Sequence, residues 1–255
     1  MGTRGAFGVI TGEVEKIGYN QFDSYSDGKG IDNLRWLRQA VADGRLDEIR
    51  QSAIDCKLVS NAVKPTPADV KHLAGATDLS VSKQSTDDWY CLTRDTHGFI
   101  EKMLDCGYIE DHSTFPLDSL FCEWAYIVDF DTGVFEVYKG FQDEAHTEGR
   151  FAGRVAKPDD WVPEYQGAKF YYPVRLVASY PLDALPSDEE FLGYFELVRA
   201  RETLADVAEY PGEVAELVER IVEKNLADEG QPYALEWAQI EDEARKLLYP
   251  NGVRA

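Results

Sequence analysis

Apolar residues recur along the chain with two periods. Residues 5–10 (GAFGVI) and 14–19 (VEKIGY) are short β-compatible runs on either side of Thr11-Gly12, and a glycine in so tight a connection predicts a hairpin. Gly5, Gly8 and Gly18 weaken these strands unless another backbone or a ligand comes close. After the turn-rich stretch 23–30 the period changes. Leu34, Leu37 and Val41 share one helical face, with Asp32 or Asn33 as the expected N-cap and Gly44 as the stop. A second amphipathic helix carries Leu46, Ile49, Ala53 and Cys56. Residues 57–88 read as a mixed connector. Within it, Thr66-Pro67-Ala68-Asp69 predicts a capped short helix to about Ala74, and the polar stretch 80–88 a mobile loop. One helix is then expected from Asp87 or Asp88 through Leu104, weakened at Gly98 and closed by Gly107 in the C′ position.

The strand signal is clearest at 121–141. FCEWAYIVDF and VFEVYKGF flank Asp131-Thr132-Gly133, and both faces carry apolar groups, which predicts a hairpin at the centre of a sheet. Residues 142–169 look irregular. Residues 169–180 (KFYYPVRLVASY) read as a further strand with Pro173 at its start or on an edge. Ser187-Asp188-Glu189-Glu190 is a capping box, and amphipathic helices follow to about Leu248. The expected fold is α+β: a central, mostly antiparallel sheet with helices packed on it, an αββα-like sandwich being one arrangement. Residues 1–186 would form the core domain. Residues 187–255 would form an acidic helical region packed on the same domain.

Charge narrows the partners. The chain holds 26 basic and 47 acidic residues, a net of −21, and the imbalance is uneven. Residues 1–109 hold 13 and 16; residues 110–255 hold 13 and 31. That field opposes direct binding of nucleic acid and of anionic membrane surfaces, and it favours solubility and basic partners. No run approaches the ~20 apolar residues of a membrane span, and residues 1–30 lack the apolar core of a signal peptide. The expected location is the cytoplasm, as a monomer or small homo-oligomer.

Metal and cofactor motifs are not legible. Cys56, Cys91, Cys106 and Cys122 form no C-x-x-C pair, and His72, His97, His112 and His146 form no H-x-x-x-H or H-x-H pair, so no metal and no cofactor is expected. The cysteines read as small buried hydrophobes. Gly28-Lys29-Gly30 lacks the spacing of a phosphate loop. Asp129 and Asp131 read as turn chemistry. His97 and His112 lie nearest to structured elements and are the two histidines with a claim to general-base geometry.

The N-terminal stretch concentrates the remaining chemistry. Thr3, Arg4, Tyr19, Asn20, Asp23, Ser24 and Tyr25 form the candidate cluster for binding or for structure. The structural version pairs Arg4 with Asp23 in a bidentate bridge and lets Asn20 bond the backbone. A catalytic version would use Thr3 as an N-terminal nucleophile whose own amine is the base. Removal of Met1, however, leaves Gly2 in front of Thr3.

The same residues carry a resemblance. Thr3-Arg4-Gly5 and the run Tyr19-Asn20-Gln21-Phe22-Asp23-Ser24-Tyr25-Ser26-Asp27-Gly28-Lys29-Gly30 resemble a family of uncharacterised proteins of actinobacteria and their phages. That family opens M-x-T-R-G and continues Y-N-H-x-D-S-Y-P-x-G-L-G. Residues 88–92, 118–121, 124–140 and 180–191 are similar to it as well. Gln21 stands where the family has His, Ser26 where it has Pro, and Lys29 where it has Leu. Gln21 does not titrate, which counts against acid–base catalysis. The resemblance implies no established activity; together with the absence of a catalytic motif it leads us to expect a non-enzymatic, phage-encoded accessory protein that acts in the host cytoplasm by binding a host protein. Two alternatives stand beside it: an amide-bond hydrolase of the N-terminal-nucleophile type, and an acidic mimic of nucleic acid that occupies a basic host protein.

Overall fold

The computed structural model describes residues 2–154 and 171–195. Its fold is α+β, organised on a five-stranded sheet in the order Val14–Asn20 (β2), Gly5–Thr11 (β1), Trp124–Asp129 (β5), Val134–Lys139 (β6), Arg175–Pro181 (β7). The first hairpin forms where the glycine-centred turn predicts it, from β1 (Gly5–Thr11) and β2 (Val14–Asn20). Gly12 and Glu13 both have positive φ (59° and 64°), the left-handed pair that lets two strands turn within two residues. β5 (Trp124–Asp129) and β6 (Val134–Lys139) form the second hairpin, and β5 is the middle strand. β7 (Arg175–Pro181) adds antiparallel to β6. β1 and β5 run parallel, so the sheet is mixed although its other pairings are antiparallel.

Alternation sorts the side chains onto two faces. Ala6, Ile10, Ile17, Ala125, Ile127 and Tyr138 pack on one face beneath Leu117, Cys122, Phe151 and Val174. The cover on that side comes from irregular chain at 115–122 and 142–154. Trp124, Tyr126 and Phe135 stack along the other face, with ring centroids 6.4 Å apart at each step. Helices serve this second face. α1 (Ile31–Ala42) packs against α5 (Ile100–Cys106), while α2 (Leu46–Asp55) and α5 both contact β1.

Gly8 shows how tightly the hairpin is drawn. A Cβ there would lie 2.1 Å from the Lys16 carbonyl oxygen. Lys16 itself is buried, and its ammonium donates to the carbonyls of Ala53, Ile54 and Cys56 at 2.6, 2.8 and 2.6 Å. These are the carbonyls a helix leaves without intrahelical partners at its C-terminus. A lysine on β2 therefore caps α2.

Several local expectations change. Helix α1 starts at Ile31 directly out of a tight turn over Ser26–Gly30, so Asp32 and Asn33 lie inside it rather than at its cap. The single helix expected over 88–104 is broken. α4 is only Trp89–Leu92, a 3₁₀ turn follows at Arg94–Thr96, and the helix resumes as α5. Gly98 has φ +82°, a left-handed conformation that interrupts a right-handed helix, so the glycine marks a corner. Gly107 closes α5 at φ +73°, as its position predicts. The connector also holds a short strand, β3 (Lys57–Val59), which pairs in parallel with β4 (Tyr108–Glu110). Three residues each are too few for a period to show. α3 (Pro67–His72) carries the expected capping box, with Thr66 and Asp69 bonding each other's backbone. The 80–88 stretch is a chain of turns gathered on the buried Asp88, which accepts from Ser82 Oγ at 2.7 Å.

Contacts divide the chain into residues 1–188 and 189–255. Residues 188–195 are helical, in line with Ser187 as a cap, and Asp188 pairs with Arg35 (2.6 Å) and Arg38 (2.5 Å) within the first unit. The expected helices beyond 195, and the start of the 169–180 strand, lie outside the described residues. Among the described residues no helix is long and apolar enough to cross a membrane.

Candidate functional site

The N-terminal polar cluster divides between the sheet's edge and the turn after β2. Thr3 is buried, and its carbonyl accepts the Ser24 amide at 3.2 Å. Its hydroxyl has no hydrogen-bond partner among the described residues. Arg4 does not bridge to Asp23. Its guanidinium sits 4.9 Å from the Phe121 ring centroid, and its backbone exchanges bonds with Glu123. β1 begins just after Arg4 and pairs in parallel with β5 from Trp124, so the Arg4 backbone lies beside Glu123 and its side chain takes the sheet face opposite Asn20, against the 118–123 segment. Tyr19 lies with Arg4, on the face opposite Asn20. Its hydroxyl donates to Gln21 Oε1, and its ring meets Phe115 edge-on at 4.9 Å and His112 at 5.8 Å. Burial raises the Tyr19 pKa, so the phenol stays protonated.

Asn20, Asp23, Ser24 and Tyr25 do come together. The Asn20 amide donates to the Phe22 carbonyl and to Ser24 Oγ (2.7 Å), and this pins a turn in which Asp23 has φ +62°. Asp tolerates that conformation better than most residues. The Asp23 and Tyr25 carbonyls accept the amides of Lys29 (2.9 Å) and of Gly28 and Gly30 (3.1 Å each). Tyr126 Oη donates to the Ser24 carbonyl at 2.9 Å. The two glycines have steric reasons. A Cβ on Gly28 would meet the Asp23 carbonyl at 2.5 Å, and one on Gly30 the Tyr126 hydroxyl at 2.7 Å. The glycine-rich loop is thus a folded plug over Tyr126.

Beside this turn lies a cleft of about 250 Å³. Asn20, Phe22, Asp23 and Lys29 form one wall; Asp78, Arg94, Asp95, His97 and Phe99 form the other. Asn33 clips the walls together. Its amide donates to the carbonyls of Lys29 and Gly98 at 2.8 Å each, and its Oδ1 accepts the Ile100 amide at 2.8 Å. Gly98 closes the junction, because a Cβ there would stand 2.9 Å from Asn20 Cγ. Sequence reasoning missed Arg94, Phe99, Asp78 and Asp95. Arg94, Asp95 and Phe99 reach the cleft where the expected helix breaks, and Asp78 reaches it from the connector before 80–88; His97-Gly98 inside an apolar period was the available signal for the break.

His97 is only 7% exposed, and burial holds its pKa down at about 3. The Thr93 hydroxyl spends its one hydrogen on the Trp89 carbonyl (2.9 Å), so it must accept from His97 Nε2, 3.2 Å away. The proton therefore sits on Nε2, and Nδ1 carries a lone pair without a partner among the described residues. A neutral imidazole with so low a pKa is a poor base at neutral pH. His112 uses Nδ1 against the Glu110 carbonyl at 3.2 Å, and its ring lies on Tyr19, outside the cleft. The thiols of Cys56 (pushed up to about 11), Cys106 and Cys122 are raised by burial and stay protonated. Asp129 and Asp131 make turn bonds as expected. Asp131 in addition accepts the amides of Gly12 (3.0 Å) and Glu13 (2.9 Å), tying one hairpin tip to the other.

The groups of the cleft are in different states of use. Asp78 accepts from the Ser80 amide (2.8 Å) and hydroxyl (2.6 Å), and these bonds lower its pKa. Asp95 pairs with Lys102 at 3.4 Å. Lys29 Nζ lies 3.5 Å from the Phe99 centroid and is half-buried, and the loss of water lowers its pKa. Arg94 sits between the rings of Phe22 (5.8 Å) and Tyr90 (5.7 Å). No family model, no curated protein and no solved structure matches this chain.

Proposed function

We propose that this chain is a non-enzymatic accessory protein that works by binding another protein, and that the turn at 21–25 with its adjoining cleft is the contact surface. The observation that carries the reading is Phe22. The residue is 51% exposed, yet its carbonyl is held by the Asn20 amide. Tyr25, 42% exposed, follows on the same turn. Aromatic groups and arginine are over-represented where protein partners bind, and a pre-ordered backbone lowers the entropic cost of docking. The family resemblance adds the setting: a phage-encoded protein in a host cytoplasm, with a host protein as partner.

A photo-crosslinking residue at position 22, with a control at Val63, which is also exposed and lies outside the cleft, tests this. The expected outcome is one discrete host-protein adduct from position 22, lost on Tyr25→Ala with an unchanged melting temperature. Equal or no adducts from both positions would refute the assignment. The N-terminal-nucleophile alternative has one observation in its favour, the unpartnered Thr3 hydroxyl. It requires a mature chain that begins at Thr3, which intact-mass measurement decides.

A further inference from the structure

Building on the binding reading, we infer that the cleft recognises an acidic segment of the partner, seating a carboxylate between Lys29 and Arg94. The donors of the cleft support this, although its lining holds three acids against two cations. Asp78 accepts from Ser80 and Asp95 pairs with Lys102, so neither takes up the donors of Lys29 or Arg94. The two cations that line the cleft make no direct ion pair, although Asp23 and Asp32 act on Lys29, and Arg94 on Asp78, through space. Neither Lys29 nor Arg94 has a carboxylate within ion-pairing distance among the described residues; each rests on aromatic faces instead. Stacking on Phe99, Phe22 and Tyr90 orders these side chains before anything binds and leaves their N–H donors unpaired.

The two donors complement each other chemically. A guanidinium offers a planar fork to a carboxylate, and an ammonium adds a point charge that rotates to fit. Half-burial of Lys29 makes its charge more costly to keep unpaired, so an incoming anion restores what desolvation removed. Exposed Phe22 at the rim supplies apolar contact for the residue next to the acid. A peptide fits this combination better than a free ion does, because the rim extends the contact beyond the charge. The occupant is acidic although the chain carries −21 overall, so attraction must be short-range and long-range steering works against it.

The test is fluorescence polarisation of the intact chain with a positional-scanning library of acetylated, amidated hexapeptides. The expected result is selection of Glu or Asp at one position and an apolar residue beside it. Binding of the selected peptide should weaken by about tenfold or more on Arg94→Ala and on Lys29→Met. Lys64→Ala, at an exposed lysine elsewhere, should leave it unchanged. A second measurement needs no variant. In the wild-type chain the acidic peptide should protect Lys29, and not Lys64, from an amine-reactive label read by mass spectrometry.

Selection of basic or uncharged peptides, or no saturable binding at about 1 mM, which corresponds to only about −4 kcal/mol, would overturn the inference. Equal competition by free glutamate or inorganic phosphate would also overturn it, showing a small-anion site. If position 22 still captures a partner while the peptides and both charge variants do nothing, the acidic-segment inference fails and the binding reading stands.

Discussion

Burial pushes His97 and Glu110 in opposite directions, and the consequences are separable. Above pH ~6.5 the histidine is neutral whether the chain is folded or unfolded. Below that, the unfolded chain takes up a proton that the folded His97, with its pKa near 3, refuses. Stability should therefore fall as pH drops from 6.5 toward 3, by at most about 1.4 kcal/mol per pH unit from this group. In urea titrations between pH 7 and pH 4, His97→Gln should flatten the difference relative to wild type. An unchanged slope would mean that the ring is protonated when folded. Glu110 is buried on β4, one oxygen taken by Asn61 and the other without a partner, and burial raises its pKa. Here the folded state holds its proton longer, so stability is lost as pH climbs above the unfolded value near 4.5. Glu110→Gln should raise the urea midpoint at pH 8 and lose that advantage near pH 4. Asn61 still finds an acceptor in the amide oxygen.

Elements here are joined by single side chains that reach across them. Lys16 on β2 satisfies three carbonyls at the end of α2, and a methionine would fill the same space without donating. Lys16→Met should cost about 2–3 kcal/mol, the value of charge-assisted bonds lost with buried acceptors left behind, and amide exchange should speed up in the last turn of α2 first. Asn33 plays the same part between α1 and the corner at Gly98. Local pattern offers Asn33 as a helix cap and gives Lys16 no duty beyond its place in a strand. Pattern reads the neighbours of a residue in sequence, whereas these contacts span 37–40 residues for Lys16 and 65–67 for Asn33.

At the scale of the molecule, the β5–β6 hairpin is locked to the 142–154 segment by charge as well as by packing. Arg150 reaches from the irregular 142–154 segment onto the sheet, bonding Asp129 at 2.5 Å and Glu136 at 2.8 and 3.0 Å; Tyr138 adds a bond to Glu136. Both carboxylates are almost fully covered. Arg150→Met would strand two buried acids, and such a loss typically costs 3–5 kcal/mol, about half the stability of a domain this size. A thermal melt at pH 7 should show a large drop. A small drop at pH 7 would mean that water reaches the site.

Much of the fold was legible in the chain itself. The hairpins, the faces of α1 and α2, the capping box at Thr66 and the stop at Gly107 follow from periods and turn residues within about ten positions of one another. The grouping of Asn20, Asp23, Ser24 and Tyr25 was legible too, because a turn gathers its own neighbours. Three things were decided only by tertiary structure. Arg4 left the cluster because pairing of β1 with β5 places its side chain against Phe121, on the face opposite Asn20. The predicted helix over 88–104 became a corner because Gly98 must meet Asn20. The cleft acquired Arg94 and Phe99 from that corner. Each depends on where a distant backbone lies, and a local period carries no record of that.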